Sequence, residues 1–514
     1  MRALERIAVV ALLLISFNRP PQANQAQNLS SATPAIPRTW DDQAMLTLEL
    51  PLANPIGSPK HVSAEYYYRI PVRPIYKAYP VYAPGHEPPG YMEWLKQQGP
   101  QIVWDDKGHS PPLKSESDWI KAGEFVFDAP IAFDPEEGVT ALEDVRNPDW
   151  YARVHPPLDK SGILAVFSYV IRQKGHIELG QISCATCHTR VMPDGTVLKG
   201  AQGNFPFDHA IAFELRKGKV TADELRNAIF GGWGMPWLDP PPEAILERMS
   251  LEEMLAISEA VPPGVLIRRH SGFMFPPHIP DLIGVKDRRY LDSTGLQQQR
   301  SIVDLMRYAA INQGGNEIAS YNGLIPADPP KYRVLPSPEK VGGRYSDEQL
   351  YALALYVYSL KPPVNPNRFD PSAVRGQKVF EREGCTDCHT PPLYTNNQLT
   401  PAPGFSVPKD HLQKYDILPM SVDTDPNSAT RTRRGTGYYK VPSLKGVWYR
   451  SMFGHNGWCA KLEDWFDPKR TNDNYDPTGF KPFNVKAYAV KGHPFGLNLS
   501  EEDRKALIAF LKTL

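Results

Sequence analysis

Two short segments of this chain have the form C-x-x-C-H: Ser183-Cys184-Ala185-Thr186-Cys187-His188 and Gly384-Cys385-Thr386-Asp387-Cys388-His389. Two thiols three positions apart on one helical turn can bond the two vinyl groups of a single porphyrin, and the histidine that follows then offers a ring nitrogen to the iron. A chain carrying two such segments must wrap two large, flat, apolar groups, which constrains its fold more than any periodicity elsewhere in it. The expectation is two covalently bound haem c groups, one on Cys184, Cys187 and His188, the other on Cys385, Cys388 and His389. Zinc is the competing use of paired cysteines, but its two C-x-x-C halves usually lie within about 15 to 20 residues of each other. A thioredoxin-like dithiol needs a strand-to-helix setting and has no use for the histidine. The fifth cysteine, Cys459, reads as a small buried thiol beside aromatic residues.

The rest of the composition sets the surroundings. At 514 residues the chain exceeds what one hydrophobic core usually serves, so two or three lobes are expected. Lys plus Arg and Asp plus Glu both number 57, which gives no whole-chain reason to expect nucleic acid as a partner. The 53 prolines are about twice the roughly 5% of average usage and imply long ordered loops between sparse helices. The chain begins Met1-Arg2-Ala3-Leu4-Glu5-Arg6, followed by an apolar run from Ile7 to Phe17 and a polar stretch with Ala23 and Ala26, the pattern of a secretory signal peptide. As an uncleaved anchor the run falls short of the roughly 20 residues of a span. A periplasmic or secreted protein with no transmembrane span in the mature chain follows.

Four regions are expected: a signal peptide over 1–26, an irregular Pro/Tyr-rich region over 27–160, a first haem c domain over 161–360 and a second cytochrome c domain over 361–514. The fold class is mostly α, two cytochrome c-type lobes related by an internal repeat. The repeat is read by laying Ser346-Asp347-Glu348-Gln349-Leu350 over Ser500-Glu501-Glu502-Asp503-Arg504. Each run opens with a capping Ser and an acid or amide three residues on, and each then places apolar residues on one face: Ala352, Leu353, Tyr356, Val357 and Leu360, against Ala506, Leu507, Phe510, Leu511 and Leu514. A helix over Pro371 to Glu383 leads into the second motif, and Lys361-Pro362-Pro363 ends the first lobe. In the N-terminal region the helix candidates are Tyr91 to Gln98 and the segment around Trp119 to Gly123.

The sixth ligand decides whether a haem iron only passes electrons or also binds O2 or peroxide. For the first haem the candidate is Met235, in Gly231-Gly232-Trp233-Gly234-Met235-Pro236 after a helix capped at Thr221; the alternative is that it fills a gap between Trp233 and Trp237. His209, His278 and an open position are the others. For the second haem the candidates are His411, Met420, Met452, His455 and His493, the last in a loop just before the closing helix. Trp233, Trp237, Trp448 and Trp458 are candidates for an electron path, with core packing as their alternative.

Beyond the motifs, three segments carry a resemblance: Tyr439-Lys440-Val441-Pro442-Ser443-Leu444-Lys445-Gly446-Val447-Trp448, Phe453-Gly454-His455-Asn456-Gly457 and Gly492-His493-Pro494-Phe495-Gly496. With them, roughly Ser161 to Leu514 resembles the bacterial di-haem cytochrome c peroxidase superfamily, nearest its rubber-oxygenase-like branch. The resemblance implies bis-histidine ligation of the second haem by His389 and His493, and places His455 in a turn beside that haem, lining its pocket or bonding a propionate. The peroxidases proper carry an Arg-Asn-x-Pro-Thr-like segment and a distal acid after the first haem. This chain instead reads Met192-Pro193-Asp194-Gly195-Thr196 and Gly200-Ala201-Gln202-Gly203-Asn204 there, which departs from peroxide reduction.

The function expected is therefore electron transfer by an exported di-haem c-type cytochrome, serving a redox partner protein or a small-molecule oxidant. In one reading it is also an oxidoreductase that reduces peroxide or activates O2 at the first haem. In the other it is a non-catalytic carrier or the cytochrome subunit of a dehydrogenase complex, a reading that a bound Met235 favours. A third reading makes the Pro/Tyr-rich region a docking module with haems that take no part in redox chemistry.

Overall fold

The helix Glu116–Asp128 begins at a full capping box: the Ser115 hydroxyl accepts from the Asp118 amide and the Asp118 carboxylate accepts from the Ser115 amide. Its buried face carries Trp119, Ala122, Gly123, Val126 and Phe127, and it packs along the helix Asp347–Ser359. A computed structural model describes residues 35–134, 138–268, 271–313, 318–326 and 335–514 of the chain. The signal-peptide reading of 1–26 lies outside the described residues.

A second helix pair repeats the first. Pro371–Arg382 starts at the Asp370 cap and packs along Glu501–Lys512, which starts at Ser500. In both pairs the crossing is made by a glycine. A methyl group on Gly123 would run into the Ala352 carbonyl oxygen and stand 2.7 Å from Tyr356 Cβ; one on Gly376 would run into the Ala506 carbonyl oxygen and stand 2.7 Å from Phe510 Cβ. Beside each glycine an aromatic pair closes the contact, Phe127 against Tyr356 at 5.2 Å and Phe380 against Phe510 at 5.4 Å between ring centres. Ala352 and Tyr356 are the residues that the sequence comparison sets against Ala506 and Phe510. Gly123-Glu124-Phe125-Val126-Phe127 likewise corresponds to Gly376-Gln377-Lys378-Val379-Phe380.

Much of the N-terminal region is therefore regular, contrary to the irregular extension expected over 27–160. Tyr91–Gln97 and Glu116–Asp128 are helices, and Ala78–Tyr82 and Ala132–Asp134 are strands. These two strands flank the hairpin Ile163–Gln173 and His176–Gln181 in a four-stranded antiparallel sheet, in the order 78–82, 163–173, 176–181, 132–134. The register sets Ser168 opposite Gly180 and Tyr169 opposite Leu179. Strands of three to five residues at Pro-rich ends offer too few positions for a period-two pattern to be read. Ile36–Leu514 forms one unit, so a cut at 160/161 would separate Glu116–Asp128 from its helical partner. Among the described residues no helix is long and apolar enough to cross a membrane.

Sheet and helices meet at the first motif. The hairpin ends at Gln181, whose buried side-chain oxygen accepts from the Val139 and Thr140 amides at 2.8 and 3.0 Å. Ser183 then caps the single turn Cys184–Cys187, with Thr186 Oγ1 donating back to the Val166 carbonyl at 3.2 Å. In an unhindered helix, Gly→Ala gains up to about 1 kcal/mol. At Gly123 the Ala352 carbonyl reverses the sign, and Gly123→Ala is expected to cost about 1–3 kcal/mol. Urea unfolding measures this, and a variant as stable as the parent would contradict the close crossing.

Candidate haem-binding cavity

Both motifs open onto one cavity of about 1550 Å³, whose wall includes Cys184, Cys187, His188, Cys385, Cys388 and His389. Sites for a single small ligand are usually about 300–1,000 Å³. The two histidines are presented alike. The His188 amide donates to the Cys184 carbonyl at 2.9 Å and the His389 amide to the Cys385 carbonyl at 2.8 Å, so each imidazole follows its thiols around one turn. His188 Nδ1 donates to the Pro280 carbonyl at 3.0 Å and His389 Nδ1 to the Tyr394 carbonyl at 3.2 Å. A carbonyl only accepts, so Nδ1 holds the proton and Nε2 keeps its lone pair. Burial, reinforced by the Arg268 charge, pushes the His188 imidazolium down to about 4, and burial lowers His389 as well. Both rings stay neutral, as a metal ligand must.

The thiols are not activated. Burial pushes Cys184 up to about 12 and Cys187 and Cys385 up to about 11, and it raises Cys388 too. A redox dithiol relies on a lowered thiol, so this environment does not suit that use.

Of the candidates for the second site, the structure brings His493 to His389: their ring centres are 6.4 Å apart with planes at 56°. With a metal–nitrogen distance of about 2.0–2.1 Å on each side, two opposed imidazoles set their centres roughly 6 Å apart. Burial, then the charges of His389 and Arg470, push the His493 imidazolium down to about 3. Trp465 stands edge-on to the His493 ring at 5.3 Å, and Phe495 does so at 5.2 Å. His455 is on the cavity wall, stacked on Tyr439 at 4.6 Å, with Nε2 3.9 Å from the Asp425 carboxylate. Met420 and Met452 also reach the wall, whereas His411 is held elsewhere by the Tyr438 hydroxyl at 2.9 Å.

At the first site Met235 is fully buried and is not among the residues of the cavity wall. The helix Ala222–Trp233 turns Leu225, Ala228, Ile229 and Trp233 to the cavity, and the chain leaves the wall at Gly234. Met235 is thus buried away from the cavity wall. His209 misses the wall for a helical reason: Phe207–Lys217 presents Asp208, Ile211 and Leu215 to the cavity, and the next position after Asp208 points about 100° away. His278 is on the wall, with its Nδ1 donating to the His455 carbonyl at 3.3 Å. Trp233 lines the cavity, while Trp237 stacks on Tyr321 and Trp458 on Trp465. Trp448 packs edge-on against Tyr449.

Sequence reasoning missed the charged part of the wall. Asp292 accepts from Arg268 at 2.6 Å, from Arg434 at 2.5 Å and from the Tyr308 hydroxyl at 2.7 Å. Burial works against its ionised form, but the Arg434 and Arg268 guanidiniums outweigh burial and hold the carboxyl well below its usual range. Nearby, Asp281 accepts from the Tyr449 hydroxyl at 2.7 Å, with Arg450 Nε at 4.0 Å. Arg288 donates to the Asp281 and Ile283 carbonyls. Burial and the Arg288 charge push the Lys440 ammonium down to about 7. Four guanidiniums and the half-protonated Lys440 thus surround Asp281 and Asp292, and buried charge of one sign calls for a counter-ion. Haem carries two propionates, so the charge of this wall, the room in the cavity and the orientation of the imidazoles all fit that group.

No protein-family model matches the chain, and no curated protein matches it significantly. Among solved structures, a xenon-pressurised hydrazine synthase of Kuenenia stuttgartiensis is similar at 16% identity over 59% of this chain and 92% of that one, with a TM-score of 0.29. The diheme peroxidase BthA from Burkholderia thailandensis is similar at 15% identity over 81% and 90% of the two chains, again with a TM-score of 0.29. A MauG-like protein associated with microbial copper homeostasis is similar at 16% identity over 33% and 56%, with a TM-score of 0.22. Scores this low leave the site to be read from its own geometry.

Removing the carboxylate between two buried guanidiniums leaves them uncompensated, at a typical cost of about 3–5 kcal/mol. Asp292→Asn is therefore expected to lower unfolding stability by that order in a denaturant titration, and a change below about 1 kcal/mol would refute the ion network.

Proposed function

We propose that this chain is an exported di-haem c-type cytochrome that moves electrons between a first haem on Cys184, Cys187 and His188 and a second on Cys385, Cys388 and His389, with His493 as the second haem's sixth ligand. The observation that carries the reading is the pairing of His389 and His493 across one metal-sized gap in a cavity shared by both motifs. Bound haem supplies one-electron chemistry at iron, and the axial ligand and its surroundings set the potential. The chain's own contribution is to fix two neutral imidazoles by their carbonyl partners, to surround them with apolar residues and to neutralise the propionates with Arg268, Arg288, Arg434, Lys440 and Arg450. His455 lines the second pocket.

The two glycine-crossed helix pairs support duplicated cytochrome c-type lobes, the first taking in Glu116–Asp128 besides 161–360. Bis-histidine ligation is what the resemblance to the di-haem peroxidase superfamily, nearest the rubber-oxygenase-like branch, implies. The carrier reading had Met235 as its mark, and Met235 stands off the cavity wall. That favours an oxidoreductase with peroxide or O2 acting at the first haem. Asp208, on the wall there and pushed up to about 7 by burial, is a group able to hold or give a proton near neutrality. The setting is periplasmic or secreted, with a redox protein or a small oxidant as partner.

The purified protein is expected to carry two haems per chain by pyridine haemochrome assay, falling to one in a Cys385→Ser, Cys388→Ser double variant. In the parent, electron paramagnetic resonance should show the second haem low-spin. His493→Gly should remove that signal and let the ferrous second haem bind CO. A His493→Gly protein with an unchanged low-spin signal would remove His493 from the site. CO binding by the parent at the first haem supports catalysis there, whereas two low-spin haems that ignore CO return the carrier reading.

A further inference from the structure

Arg470 lies in the short turn Pro468–Thr471 and is 1% exposed, and among the described residues it forms no ion pair with a carboxylate. Its partners are backbone carbonyls: Nε donates to Trp465 at 3.0 Å, Nη1 to Val490 at 2.6 Å, and Nη2 to Gly492 at 3.0 Å and to His493 at 2.8 Å. The guanidinium also lies 5.4 Å from the Trp458 ring centre and 5.8 Å from that of Trp465. A buried cation without a counter-carboxylate is costly, and here it is compensated by carbonyl dipoles and indole faces alone. Three of its four carbonyls belong to the loop that delivers His493.

That loop needs holding. Gly492 has φ 84° and His493 φ 45°, so two successive residues are in the left-handed region, and the second has a side chain that disfavours it. On one side the loop leans on 422–424. The His493 amide donates to the Val422 carbonyl at 2.6 Å, and a methyl group on Gly492 would stand 2.5 Å from the backbone of Asp423 and Thr424. On the other side, its carbonyls end on Arg470. Trp465, whose carbonyl Arg470 also takes, stands edge-on to the His493 ring.

We propose that Arg470 is the positioning residue of the second haem: it locks the left-handed Gly492-His493 backbone so that the His493 imidazole faces His389. This rests on the reading of His493 as sixth ligand. The geometry of Arg suits the task, since its planar fork serves several carbonyls at once, whereas the ammonium of Lys is a point donor.

The test uses the full-length protein with both haems attached, counted by pyridine haemochrome assay, and compares Arg470→Met, Arg470→Lys and His493→Gly with the parent. Arg470→Met is expected to lose the low-spin signal of the second haem and to bind CO there when reduced, with the first-haem spectrum unchanged. Arg470→Lys is expected to give a mixed or shifted low-spin signal between those two. A two-haem Arg470→Met protein with the parental signal and no CO binding overturns the proposal. Where Arg470→Met does not fold, Arg470→Lys decides, and a signal identical to the parent's overturns it. His493→Gly separates the two levels. An unchanged spectrum there defeats the ligand reading itself, whereas loss of the signal in His493→Gly but not in Arg470→Met defeats only the role of Arg470.

Discussion

An imidazole that gives its Nδ1 proton to a backbone carbonyl has little freedom over where its other nitrogen points. Pro280 and Tyr394 impose that condition on His188 and His389, and much of the surrounding structure serves to keep those two carbonyls still. The Pro280 segment is tied down on both sides, by the Ile279 amide to the Gly264 carbonyl at 2.8 Å and by the Leu282 amide to the Gly200 carbonyl at 2.7 Å. The Tyr394 carbonyl also receives the Leu444 amide at 3.2 Å, which joins it to the segment that carries Lys440 and Pro442. Loops far apart in the chain are thus clamped around two small hydrogen bonds, which gives irregular backbone a hydrogen-bonded place in the interior.

Charge is the second organising constraint. The interior holds more cations than carboxylates around Asp281 and Asp292, and among the described residues Arg470 is compensated by carbonyls with no carboxylate partner. The Trp458 and Trp465 stack has its rings 5.1 Å apart under that guanidinium. A positive charge over both rings opposes the removal of an electron from either. The geometry of the stack is therefore that of packing behind His493, under a cation that disfavours oxidation of either ring.

What the sequence disclosed and what it withheld divide along physical lines. The motif residues were legible because C-x-x-C-H is a short local pattern of fixed spacing. The closing helices Asp347–Ser359 and Glu501–Lys512 were legible because an amphipathic helix with a serine cap leaves a periodic trace. His493 was visible only through its place before the last helix and the family resemblance, and its approach to His389 is set by a loop with no periodicity. The partner helix Glu116–Asp128 was half seen, as a seed near Trp119, because its match to Pro371–Arg382 lies in a few residues around Gly123 and is separated from its own motif by a sheet. Arg268, Asp292, Arg434, Lys440 and Arg470 left no local trace at all, since each acts through partners distant in sequence. Met235 differs from these, a residue whose type and loop context suggest a ligand but whose side chain is buried off the cavity wall.

The two helix crossings also differ in how much chain each must wait for. Gly376 finds Ala506 within the C-terminal part of the molecule, but Gly123 meets Ala352 only after the sheet, the first motif and the long stretch of chain that follows it. Loop-closure entropy grows slowly, by about 0.6 kcal/mol per doubling of length, so the finished protein loses little by this arrangement. Its timing is another matter. A chain emerging from its N-terminus exposes Cys184 and Cys187 well before the helix Asp347–Ser359 exists, so the first motif stays accessible while that part of the fold is still open. Around the second motif the two helices Pro371–Arg382 and Glu501–Lys512 lie closer together in sequence, leaving a shorter interval before that part of the fold closes.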